Sequence, residues 1–160
     1  MVEVGGLPAH ILLIHGVVVL APLAGVLAIL FALVPRFRRN LAWPLGALAL
    51  VLVPLSLLTA DAGEQLEHSM PESAAIAEHA EQGDVFKGLA VVFFVIVAVQ
   101  LAAEFPGPLI RPRILNGLRR LLTARWVRIL AVVLGVVGGV LIVYQSIVTG
   151  HSGSASVWGS

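Results

Sequence analysis

Five histidines and a row of carboxylates are the residues whose types and spacing could do chemistry in this chain. His10 and His15 stand near its start. His68 and His79 lie within or beside a segment that carries Asp61, Glu64, Glu67, Glu72, Glu78, Glu81 and Asp84. Imidazole and carboxylate suit zinc, copper or iron. Two histidines from facing helices can also hold a haem iron axially. Spacing sorts the candidates. Glu64 and His68 are an i, i+4 pair, and Asp61 shares their face. Glu72, Ile76, His79, Gly83 and Phe86 form a second stripe at helical spacing. His10 and His15 are separated by about 140° around a helix and therefore face different ways.

Three readings of these groups stay open. In the first, His15 and His79 are the primary pair for a haem b, with Gly16 and Gly83 leaving room for the porphyrin and only Lys87 at hand for its propionates. In the second, Glu64 and His68 hold a zinc, copper or iron ion with His10 or His79 from another helix, although no HExxH or paired Glu-x-x-His motif is present. In the third, no cofactor binds: the acids keep the segment solvated and the histidines tune its response to pH. His15 has a structural alternative of its own, a hydrogen bond to Ser56 or Thr59 of a neighbouring helix. His151, in a Ser/Gly-rich tail, is expected to stand outside any site. No nucleophile elbow or phosphate loop is present, so the chain does not read as an enzyme on its own.

The elements that must position these groups are set by composition. The chain has 160 residues, 59% hydrophobic and 12% charged, with a mean hydropathy of +1.00. Soluble domains carry about a quarter charged residues, so an integral membrane protein is expected. Cysteine is absent, and a net charge of +1 gives no excess for nucleic acid. Four apolar runs approach or exceed the roughly 20 residues that cross a bilayer: 11–34, 41–60, 85–103 and 129–149. The fold expected is all-α, a single transmembrane four-helix bundle over 1–160. Between spans 2 and 3 an external helical hairpin covers 61–84, with a tight turn near Ser69, and Ser69 or Met70 capping the helix that follows. Every arginine lies between spans 1 and 2 or in the basic loop 104–128. The positive-inside rule puts those loops in the cytoplasm and both termini outside the cell membrane. All five histidines then fall on the outer side, and Glu104 is the lone acid on the inner one.

Two further patterns concern partners. Gly135 and Gly139 make a GxxxG pair, suited to packing within the bundle or to a homo-oligomer. Residues 110–125 alternate arginine with leucine and isoleucine, as a helix lying on anionic lipid does.

The string LPAHILLIHGVVVLAPLAG resembles the opening of an uncharacterised family of four-helix predicted membrane proteins. TADAGEQLE and EHAEQGD resemble that family's second and third signatures, carrying Gly63, Glu64, His79, Gly83 and Asp84. The resemblance covers roughly residues 7 to 104. It departs where the family often has proline after the first histidine, here Ile11. Some members are fused to Rieske or cytochrome-type domains. The resemblance therefore implies an electron-transfer setting, a haem or metal at His10, His15 and His79, and a membrane or periplasmic redox protein as partner.

Overall fold

The computed structural model describes residues 3–4, 7–69, 71, 73–105 and 116–158. A two-residue strand pair, Glu3–Val4 with Leu7–Pro8, precedes the helices. The helices are α1 (Ala9–Leu33), α2 (Arg38–Glu67), α3 (Ala74–Glu104), α4 (Asn116–Thr123) and α5 (Arg125–Trp158). All but α4 are long and apolar enough to cross a membrane. Arg111, Arg113, Met70 and Glu72 lie outside the described residues.

Proline and serine set the helix ends. Val34 leaves the helical region at φ −119°, ψ 87°, as a residue before proline must. Pro35 has no N–H for the Phe31 carbonyl one turn back. Arg38 replaces it: its Nε donates to the Phe31 carbonyl at 2.9 Å and its Nη2 to the Ala32 carbonyl at 2.9 Å. The same guanidinium donates through Nη1 to Glu104 Oε2 at 2.8 Å, and Arg128 reaches that oxygen at 3.3 Å. One carboxylate at the end of α3 thus ties together α1, α2 and α5. At the other end, α2 stops at Glu67 and Ser73, rather than Ser69 or Met70, caps α3 by accepting from the Ile76 N–H. Ser69 instead donates to the Leu66 carbonyl and closes α2.

The principal contacts pair α1 with α2, α2 with α3, α3 with α5 and α5 with α1. Small residues make those contacts close. Ala21, Ala24 and Ala28 form a buried stripe on α1, facing a core that includes Leu45, Leu52, Phe93 and Ile142. At Gly25 and Gly139 the backbones of α1 and α5 nearly touch: a Cβ on either would lie 2.6 or 2.7 Å from the other's carbonyl oxygen. Gly135 lies directly under the Gln100 carboxamide. The GxxxG pair is therefore used inside the chain, which leaves neither glycine on the outer surface for a second copy.

That outer surface is apolar. Val19, Leu50, Leu58, Val92, Val133 and Ile147 are exposed. A soluble helical protein would carry charge on those faces. Trp43, 81% exposed, and Trp126, 60%, stand near the arginine end.

The glycine crossing yields a test. Gly139→Ala should destabilise the protein in detergent by about 2 kcal/mol, because the new methyl meets the Gly25 carbonyl oxygen as well as the Ile29 side chain, and the backbone cannot turn aside. Gly88→Ala, where no atom lies within 4 Å, should be neutral or slightly stabilising. Equal effects would mean that the crossing is looser than described.

Candidate functional site

The histidine end is built by matched local sequences. On α2, Thr59 is followed four residues later by Gly63; on α5, Thr149 is followed four residues later by Gly153. Glycine at i+4 strips the side chain that would cover the carbonyl at i. His10 of α1 enters the first gap. Its Nδ1 donates to the Thr59 carbonyl at 2.9 Å, and a Cβ on Gly63 would lie 2.9 Å from its ring. His79 of α3 enters the second, where a Cβ on Gly153 would lie 2.9 Å from it. Its Nδ1 lies 3.0 Å from Ser152 Oγ, which itself donates to the Thr149 carbonyl at 3.0 Å.

The donors and acceptors fix both tautomers. A carbonyl only accepts, so His10 carries its proton on Nδ1. The Ser152 hydroxyl hydrogen is spent on Thr149, so its oxygen accepts from His79 Nδ1–H. Both rings keep an Nε2 lone pair, the arrangement in which a histidine held through its other nitrogen ligates a metal. The two ring centres are 6.0 Å apart with the planes at 77°. They open on a cleft of about 1850 Å³ between the helix ends, which His15, Glu64, His68 and Lys87 also line. Below His79 the α3–α5 seam stays polar, with Gln145 Nε2 donating to Gln82 Oε1 at 2.8 Å and Thr149 Oγ1 to the Gln82 carbonyl at 3.4 Å.

The remaining sequence candidates are placed differently. His15 is exposed and donates from Nδ1 to the Ile11 carbonyl of its own helix. Ser56 and Thr59, its expected partners, donate to the Val53 and Leu55 carbonyls. It is His10 that reaches across to α2, and His10 that meets His79. The 140° separation explains why: once one histidine faces its neighbours, the other points outward. Glu64 and His68 are exposed, and no hydrogen bond joins their side chains among the described residues. Among the described residues no group of three His, Asp or Glu gathers there to hold a metal ion, so His10, Glu64 and His68 are not brought together as one ligand set. Lys87 pairs with Asp84 at 2.8 Å.

The Ser/Gly-rich tail is helical. It continues α5 to Trp158 and supplies Ser152, buried, and Gly153. His151 itself is exposed. The repeated Thr-x-x-x-Gly spacing, missed in reading the sequence, is the signal there that could have found this seat.

His79 lies six residues ahead of the third apolar run. Burial opposes its protonation, and a charged His10 would oppose it further. The Thr149 carbonyl pulls the other way, and the net direction is downward from 6.5. The folded chain thus binds this proton less readily than the unfolded one. The stabilisation is whole above about pH 6.5 and is lost as pH falls from there through the folded value. Unfolding midpoints in detergent from pH 8 to pH 5 should fall for the wild type. His79→Gln, which keeps a donor for Ser152 but cannot titrate in this range, should flatten that fall. An unchanged slope would assign the dependence to other groups.

Comparison with family profiles, curated proteins and solved structures finds no match for this chain.

Proposed function

We propose that the chain is a multi-pass cell-membrane protein, a redox-associated subunit in which His10 and His79 hold a haem b. The observation that carries the reading is the pair of imidazoles, each anchored through Nδ1, with ring centres 6.0 Å apart at the wall of one cleft. Two neighbouring imidazoles without a third protein ligand among the described residues suit haem iron better than a zinc site, which takes three or four protein ligands. Thr59, Ser152 and the two glycines orient the rings. Bound haem would supply one-electron transfer. The likeness of the N-terminal string to a family with Rieske and cytochrome fusions supports a redox protein at the membrane or in the periplasm as partner.

In this reading the arginine end is cytoplasmic and both termini are outside. The helix lengths support an external hairpin. At about 1.5 Å per residue, α2 and α3 run roughly 45 Å, against a hydrocarbon core of about 30 Å. The excess belongs at the histidine end, where the acids lie.

A second reading is a cofactor-free assembly subunit. The direct contact of His10 with His79 favours it, since that contact joins the α1–α2 and α3–α5 pairs without any ligand.

A visible spectrum of the purified protein separates the two. Haem binding predicts a Soret band that shifts on reduction and is lost in His10→Ala and in His79→Ala but kept in His15→Ala. No Soret band in protein made with haem supplied would leave the assembly reading. A cysteine placed at Ser69 should label from outside intact cells, and protection there would reverse the orientation.

A further inference from the structure

A second cavity, of about 450 Å³, lies at the opposite end of the helices from the histidines. Its lining carries three guanidinium groups, Arg38, Arg125 and Arg128, against one carboxylate, Glu104. Arg38 is spent on Glu104 and on the α1 carbonyls. Arg128 uses one donor on Glu104, and Arg125 is exposed with no ion pair to a described residue. Unspent positive charge therefore sits at the mouth. Deeper, the walls turn apolar, with Phe31, Ile129 and Val133. Ile129 and Val133 are also exposed on the outer face of α5, so the cavity is continuous with the surface that lipid chains would cover. One turn below Glu104 on α3, Gln100 lines the wall. It is buried, and its Oε1 has no hydrogen-bond partner among the described residues.

We propose that this cavity binds one anionic phospholipid. The order of its groups follows the order of groups in a lipid. The phosphate meets Arg125 and Arg128, the glycerol and ester layer meets the Gln100 carboxamide, and a chain lies along Ile129 and Val133. A soluble phosphate ester would meet the arginines but leave the apolar wall unused. Basic pockets between spanning helices on the cytoplasmic side take acidic headgroups for the same reason. The site is separate from the histidine end and needs no cofactor there, but it does require that the helices span a membrane.

The full chain in neutral detergent is to be titrated with phosphatidylglycerol, phosphatidylcholine and glycerol 3-phosphate, with retained lipid read by native mass spectrometry. Phosphatidylglycerol should be retained in preference to phosphatidylcholine, and Arg125→Ala should weaken its retention about fivefold. Arg36→Ala is the control. Arg36 lies at the same end, stacked over the Phe37 ring at 4.7 Å, and outside the cavity, so its removal should leave retention within about twofold. The proposal is overturned by equal retention of the two lipids, by no loss in Arg125→Ala, or by an equal loss in Arg36→Ala, which would indicate diffuse attraction. Displacement of the lipid by equimolar glycerol 3-phosphate would overturn the lipid assignment in favour of a soluble ester. Extraction of the chain from membranes by alkaline carbonate would instead overturn the spanning reading.

Discussion

The helices of this protein have an apolar outside as well as an apolar inside, and the rest of the structure follows from that constraint. Water cannot drive such helices together by hydrophobic burial when the alternative to packing is lipid. What remains is close approach and a few polar ties. The Gly25–Gly139 crossing supplies the first, bringing backbones within reach of dispersion forces that larger residues would hold apart. Alanine at Ala21, Ala24 and Ala28 extends the same device along α1. Polar ties gather near the ends because a lone polar group in the middle would have no partner outside the protein.

The two ends solve that problem with opposite chemistry. At one, Glu104 accepts from Arg38 and Arg128 while Arg38 also covers the carbonyls left bare by Pro35. This tie is an ion-pair cluster of one carboxylate with two guanidinium groups. At the other, two imidazoles dock on Thr-x-x-x-Gly seats. Burial, and then His10 with its ring centre 6.0 Å away, oppose protonation of His79, so this tie is conditional on pH.

Composition and periodicity made much of this legible. The four apolar runs fall within long helices, save that α1 ends at Leu33, one residue before its run does. The turn near Ser69 stands between α2 and α3. The five-residue spacing of His10 and His15 already required that they face apart. The neighbour of His79 is His10, not His15, and the seat of His79 takes Ser152 and Gly153 from the tail, of which the sequence reading weighs only His151. Low charge at a chain end reads as a loop when nothing shows that the preceding helix continues.

The sequence by itself determined which residues are apolar, how long the runs are, and which residues share a face of one helix. Those are properties of a single segment and its 3.6-residue period. Only the tertiary structure decided which faces meet. The contact of His10 with His79, the seat of Gln100 on Gly135 and the capture of Glu104 by two arginines each depend on the rotation and axial register of one helix against another. The period of a single helix carries neither quantity. They are set where small residues let two backbones close, and that is a property of pairs.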